Sequence, residues 1–317
     1  MPIGGAGDGV LRERLAVLGS PIAHSKSPVI HAAAYEVLGL DWSYDRERLE
    51  AEALEAFLAS RGPEWRGFSL TMPLKEEAHR IASVLDPVAA ESGVVNTLLR
   101  IASGVGAGPR WAGFNTDVPG LAAAIAGAGL DASNTIVIGS GATAVSAILA
   151  ARRLGAQRVE IVARNTEAIG DLVGRFGGTS EPGSAAALHV SGTPIERLEA
   201  TMQLREVHRP TLQPAADPEP TLVISTLPGP AGRDLALPER LTRIPLFDVA
   251  YDPWPSPLAE GWQAAGGVAR PGIDMLVEQA VIQIRIFMHG DPERPLPDEV
   301  RVREAMRGAA GLPDMGG

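Results

Sequence analysis

Apolar positions along this chain follow two rhythms. Short, almost wholly apolar runs between turn residues read as buried strands, and stretches with apolar residues at i, i+3 and i+4 read as helices. The strand class takes in Arg14–Gly19 and residues 42–46, 67–71, 135–138, 159–162, 221–226 and 244–249. Helices are expected at 28–38, with Ser27 as N-cap and Gly39 as stop, and at 51–59, ended by Gly62. Pro73 opens another over 74–84, and Thr116 and Asp117 stand where they would cap one over 119–128. Ser256-Pro257 starts a short helix. The longest runs over 273–288, with Ile273, Leu276, Val277, Ala280, Val281, Ile284 and Phe287 on one face and Gln279 at its margin. Residues 92–99 read as turn and strand with Asn96 inside it, and 102–110 as a Gly-rich hairpin loop. Residues 1–10 read as a leader outside the fold, and 176–220 show too little periodicity to place strands. The tail after Gly290 is Pro-rich and charged, with room for a final short helix.

The most informative stretch is 134–165. A β-branched strand runs into Gly139-Ser140-Gly141-Ala142-Thr143-Ala144, and a helix follows with Val145, Ile148 and Leu149 on one face. Gly155 stops that helix before the strand at 159–162. This is a βαβ unit with a Gly-x-Gly-x-x-Ala turn. The first Gly permits the tight turn, the second lets backbone approach a pyrophosphate, and the small Ala allows close helix–strand packing. The second strand ends Ala163-Arg164-Asn165-Thr166, with no carboxylate for a ribose 2′-hydroxyl and a guanidinium suited to a 2′-phosphate. The pattern points to NADP(H).

Composition narrows the class. A length of 317 residues suggests about two domains, and 45% hydrophobic residues supply a core. Lys and Arg number 28 against 38 Asp and Glu, a net charge of -10, which argues against nucleic acid or an anionic membrane as main partner. Cysteine is absent, which excludes disulfides and thiol chemistry, and the six His lack metal-ligand spacing, so no metal is expected. The first residues resemble no signal peptide, and no apolar run reaches the ~20 residues of a spanning helix, so a cytoplasmic protein is expected. Only Lys26 and Lys75 among the 28 basic residues are lysines. Arginine keeps its proton at any ordinary pH, whereas a lysine can give one up, so a lysine in so Arg-rich a chain is a candidate for chemistry.

Lys75 closes the motif Ser69-Leu-Thr71-Met-Pro73-Leu-Lys75, which places a hydroxyl and an amine at the C-terminal end of a strand, the usual ligand edge of an open α/β sheet. Ser25 and Ser27 lie beside a helix N-terminus, where hydroxyls can hold a small carboxylate. Asn96, in an apolar segment, requires a partner for its amide.

These motifs together resemble the shikimate dehydrogenase family. The likeness runs from about Leu15 to Gly290 and rests on SPIAHSKSPVIH (20–31), SLTMPLK (69–75), GVVNTL (93–98), GFNTDVPG (113–120), GSGATA (139–144) and GIDMLVEQA (272–280), in that order. It implies an α/β chain of two domains: an N-terminal open α/β substrate domain over 10–116, a Rossmann-type NADP-binding domain over 117–271, and C-terminal helices over 272–317 returning to the substrate domain. It implies reversible NADPH-dependent reduction of 3-dehydroshikimate to shikimate, with Lys75 and Asp117 as catalytic pair. Ser25 and Ser27, with Tyr251 nearby, fall on the substrate-carboxylate positions, and Thr71, Asn96 and Gln279 on positions around the ring hydroxyls and reacting carbonyl. Gly139, Ser140, Gly141, Ala142, Thr143, Arg164 and Thr226 fall on the cofactor positions. The sequence departs from the family at Ser69, usually Asn, at Val94, usually Ala, and at Ala163-Arg164-Asn165, usually Asn-Arg-Thr. The expected partners are small molecules, with the chain a monomer or homodimer. Other readings stay open: a quinate/shikimate dehydrogenase preferring NAD, another two-domain NADP enzyme such as a methylene-tetrahydrofolate dehydrogenase, or a nucleotide-sensing module without catalysis.

Overall fold

The computed structural model describes residues 12–104, 106–181, 187–208, 218–233, 235 and 237–312. The leader expected at 1–10 lies outside them. The chain divides into two compact units, Met1–Asn115 with Gln283–Gly317, and Thr116–Ile282.

The first unit begins β1 (Arg14–Gly19), α1 (Ser27–Leu38), β2 (Ser43–Arg48), α2 (Leu54–Ala59), β3 (Trp65–Leu70) and α3 (Lys75–Ile81). It continues β4 (Val84–Leu85), α4 (Pro87–Ser92), β5 (Thr97–Ile101) and β6 (Arg110–Phe114). The sheet order is β2-β1-β3-β5-β6-β4. The β1, β2 and β3 pairings are parallel, whereas β5 runs antiparallel to β3 and β6, joined to β6 by the hairpin expected at 102–110. The core on one face gathers Leu18, Leu54, Phe68, Leu74, Val95 and Leu98, each fully buried. Asp86 caps α4 by accepting from the amides of Val88 and Ala89, and Gly93 ends that helix at φ 64°, so 92–93 is a helix stop and Asn96 precedes β5 instead of lying within it. Pro73 does not open α3. It lies in a turn closed by the Leu74 amide on the Thr71 carbonyl, and the helix starts at Lys75.

The second unit opens with α5 (Asp117–Gly127), then β7 (Asn134–Ile138), α6 (Ala142–Arg153), β8 (Arg158–Ala163) and α7 (Thr166–Phe176). Within the stretch 176–220 the structure finds β9 (His189–Pro194) and α8 (Leu198–His208), the remainder lying partly outside the described residues. Then follow β10 (Leu222–Ser225), β11 (Leu246–Asp248), α9 (Pro257–Ala264) and β12 (Ala269–Pro271). All six strands are parallel, in the order β12-β11-β10-β7-β8-β9. The chain winds outward in both directions from β7, so the order reverses between β7 and β10, the place where such sheets bind ligands.

The last long helix, α10 (Ile273–His289), begins in the second unit and ends in the first. The change of unit comes at Gln283, not at the expected residue 272, because no Gly or Pro interrupts the helix and its apolar face is continuous. The expected terminal helix is a full α11 (Glu299–Ala310), which packs on α1. Among the described residues no helix is long and apolar enough to cross a membrane.

Candidate active site

In the first unit the expected substrate residues gather at the C-terminal ends of β1 and β3. Gly19 ends β1 against Thr71, so close that a Cβ on it would meet the Thr71 Cγ2 at 2.3 Å. The Thr71 amide donates to the Leu18 carbonyl at 2.9 Å. One turn on, the Lys75 carbonyl accepts from the Val95 amide at 2.9 Å, and the Asn96 carbonyl from the Leu70 amide at 2.7 Å. Backbone bonds thus bring the segments of Thr71, Lys75 and Asn96 together.

Ser25 and Ser27 sit where the loop after β1 enters α1. Ser27 does not cap that helix. The cap position is Lys26, whose backbone is already helical (φ -85°, ψ -5°) and whose side chain makes no cap bond. The Ser25 hydroxyl instead accepts from the Ser27 amide at 3.3 Å. Lys26 is anchored elsewhere, its ammonium donating to the Ala310 carbonyl at 3.1 Å at the end of α11, a structural task at a helix C-terminus. That leaves Lys75 as the lysine of the sheet edge.

In the second unit Asp117 is the first residue of α5, nine-tenths buried or more, and it does not cap. The Thr116 hydroxyl donates to the Gln279 Oε1 at 3.2 Å, and the Gln279 amide donates to the Leu276 carbonyl at 2.9 Å. Gly120 makes this possible, since a Cβ there would lie 2.6 Å from the Gln279 Cβ. The structure therefore brings Gln279 to the start of α5, where Asp117 stands.

The glycine turn lies at the reversal of strand order. Gly139 has φ +124°, a conformation that favours glycine, and a Cβ on it would stand 2.2 Å from the Thr226 Oγ1. Thr226 is locked there, its amide and hydroxyl both donating to the Ile138 carbonyl, at 2.9 and 3.0 Å. Gly141 precedes α6 in extended conformation with no side-chain cap, and nothing lies near its missing Cβ. A helix N-terminus so left, with no acid in its first turn, suits a phosphate group. Arg164 is exposed at the end of β8. Asn165 has a structural role, capping α7 by accepting from the amides of Glu167 and Ala168, both at 3.1 Å.

Tyr251 lies in the loop after β11, and the ends of that loop are tied by a residue absent from the expected set. Asp248 accepts from the Ser256 hydroxyl at 2.5 Å and the Ala250 amide at 3.3 Å, and Ser256 caps α9 in turn. Burial pushes the Asp248 carboxyl upward, and its hydrogen bonds pull the other way.

Five more polar residues lie outside the expected set: His31, Tyr44, Ser69, Thr97 and Gln283, all buried. The signals were faint: a polar residue within each of two apolar elements, and a second Gln one turn after Gln279 on α10. His31 stacks on Tyr44 with ring centroids 3.9 Å apart, and its Nδ1 lies 3.1 Å from the Tyr35 hydroxyl. Burial lowers its pKa from 6.5 to about 3, a hydrogen bond with Gln283 acting in the opposite sense.

Comparison with known proteins matches this geometry. Residues 17–98, within the first unit, match the model of the shikimate dehydrogenase substrate binding domain. The chain is 30% identical to the shikimate dehydrogenase (NADP(+)) of Sphingopyxis alaskensis over 90% of its own length and 94% of that protein. The Mycobacterium tuberculosis shikimate dehydrogenase structure is 34% identical and superposes with a TM-score of 0.74, covering 94% of this chain and 99% of that one. A shikimate 5-dehydrogenase from Thermus thermophilus, solved with NADP(H) and shikimate, is 28% identical with a TM-score of 0.72, covering 94% and 99%. The chain belongs to the shikimate dehydrogenase family.

Proposed function

We propose that this chain catalyses the reversible NADPH-dependent reduction of 3-dehydroshikimate to shikimate, with Lys75 and Asp117 as its catalytic pair. The observation that carries the reading is the placement of Lys75, first residue of α3, on the sheet edge that also presents Thr71, Asn96 and the Ser25–Ser27 turn. NADPH, when bound, supplies the hydride. The Gly139–Thr143 turn fits its pyrophosphate because α6 starts without a side-chain cap and nothing lies where a Cβ on Gly141 would stand, and Arg164 offers a cation to its 2′-phosphate. Lys75 donates the proton to the carbonyl oxygen and takes it back in the reverse direction. Asp117 orients that ammonium and accepts a hydrogen bond from the neighbouring ring hydroxyl. Ser25 and Ser27, with Tyr251, hold the carboxylate, and Thr71, Asn96 and Gln279 hold the ring.

The test is NADP⁺ reduction with shikimate, followed at the nicotinamide absorbance, repeated with NAD⁺ and with quinate. Turnover with NADP⁺ and shikimate is expected. Faster turnover with NAD⁺ and quinate would assign the chain to the broader quinate/shikimate group, and binding of NADP⁺ without any turnover would leave a nucleotide-sensing module.

A further inference from the structure

A continuous chain of side-chain hydrogen bonds crosses the interior of the first unit and ends on Asn96. The Tyr44 phenol donates to the Ser69 hydroxyl at 2.6 Å, and Ser69 donates to the Gln283 Oε1 at 2.7 Å. The Gln283 amide donates to the Thr97 hydroxyl at 3.0 Å, and Thr97 donates to the Asn96 Oδ1 at 2.9 Å. These links come from β2, β3, α10 and the start of β5, and every member is buried.

The direction of the chain follows from its chemistry. Burial raises the Tyr44 phenol well above its ordinary range, opposed by the hydroxyls of Ser69 and Ser27, so Tyr44 keeps its proton and donates. Ser69, having accepted from Tyr44, gives its own proton to the carbonyl end of Gln283. That fixes the Gln283 amide with its NH₂ toward Thr97, and Thr97 passes its proton on to Asn96. The carbonyl end of Asn96 is consumed by Thr97, so the amide turns its NH₂ the other way.

We propose that Gln283 is a positioning residue: through Thr97 it fixes the Asn96 amide as a hydrogen-bond donor, so that Asn96 selects an oxygen acceptor on the substrate. The inference rests on the functional reading above, in which Asn96 holds the substrate ring. Ser69 takes part because its hydroxyl accepts from Tyr44 and passes one proton on to Gln283. Linked bonds of one sense in a buried setting reinforce one another, so breaking the middle link disturbs both ends.

The experiment replaces Gln283 with Glu, nearly equal in size but unable, as a carboxylate, to donate to Thr97. Thr97 then turns its proton to the new carboxylate, and the Asn96 Oδ1 loses the bond that Thr97 donated to it. Gln283→Glu and Thr97→Val should each lower kcat/KM for shikimate by about 10- to 100-fold, the range of one lost oriented hydrogen bond. NADP⁺ affinity should stay within about twofold. In an Asn96→Ala background either change should add less than about twofold, because its route to the substrate is gone. A merely structural role predicts instead that the losses add. Turnover by the parent with full additivity, or with no loss in a folded Gln283→Glu protein, overturns the positioning role and leaves the function standing. A parent that does not turn shikimate over overturns the function itself. Should Gln283→Glu fail to fold, Thr97→Val decides the question by the same cycle.

Discussion

His31 makes the stability of the first unit depend on pH. Its ring is fully buried, stacked on Tyr44 and in contact with Tyr35. Burial lowers its pKa from 6.5 to about 3, so the folded chain refuses a proton that the unfolded chain accepts. Above pH 6.5 both states are neutral at this residue and its contribution is fully present. As pH falls below 6.5 the unfolded state gains a proton first, and stability is lost until the folded ring also protonates near 3. The slope approaches about 1.4 kcal/mol per pH unit, so between pH 6.5 and 4.5 the loss amounts to about 2–3 kcal/mol. Against a total of roughly 5–15 kcal/mol for a typical domain, that is a large share.

The comparison that isolates the effect is His31→Phe, which keeps an aromatic ring against Tyr44 and removes the titrating nitrogen. The variant strands the Tyr35 hydroxyl, a pH-independent cost of about 1–3 kcal/mol. Asp86 and Asp248 work in the opposite sense: burial raises both, so their contribution is present at low pH and lost as pH rises through the folded value. They are common to both proteins and cancel in the difference. Urea unfolding of parent and variant from about pH 4.5 to 8, followed by circular dichroism, should show a constant gap above pH 7 that narrows steadily below 6.5. Parallel curves across that range would refute the reasoning, since they would mean that the buried ring takes up its proton as readily as an exposed one.

Lys75→Arg and Lys75→Met should both fold and bind NADPH yet lose about 10²–10⁴ in kcat, the range of a general acid or base, because a guanidinium keeps its proton; a Lys75→Arg enzyme within a few-fold of the parent would reduce Lys75 to an electrostatic clamp. Gly139→Ala places a Cβ at φ +124° and 2.2 Å from the Thr226 Oγ1, and with backbone strain of about 1–3 kcal/mol it should weaken NADP⁺ binding at least tenfold by fluorescence titration. Adding Thr226→Ala removes the collision but not the strain, so it should restore only part of that loss. Arg164→Ala should raise KM for NADPH by about 10- to 100-fold, the loss of charge-assisted bonds, with NADH use nearly unchanged; an equal effect on both cofactors would make Arg164 structural.

The second unit was legible because its strands are buried on both faces. Ile136, Val137 and Ile138, like Ile161 and Val162, are almost wholly inaccessible, and apolar runs of that kind cannot be mistaken for loop. The edge strand β9 was not legible. Its burial repeats as exposed, buried, half-buried in place of the strict alternation that marks a strand, it carries Gly192 and Pro194, and it is held in place by parallel pairing to β8, which leaves little mark on its composition. The buried chain through Ser69, Gln283 and Thr97 was hidden for a related reason. Each of these residues is an unremarkable polar position on its own element, and only the pairing of β3 with β5 and the packing of α10 make them neighbours.

The helix starts were misread in one direction. Ser27, Thr116 and Asp117 are good capping residues, but capping requires an extended backbone at the cap position. The cap positions of α1, α3 and α5 are Lys26, Leu74 and Thr116, with ψ of -5°, -17° and -8°, so the preceding turn flows straight into the helix and no side chain caps it. At three other helices the rule holds: Asp86, Asn165 and Ser256 are extended and cap α4, α7 and α9. Among the described α-helices, α2, α6 and α11 also start without a side-chain cap, after Ala53, Gly141 and Asp298. A side chain spent on capping has its oxygen committed to the backbone. In α1 and α5 the hydroxyls of Ser27 and Thr116 are bonded instead to Tyr44 and to Gln279.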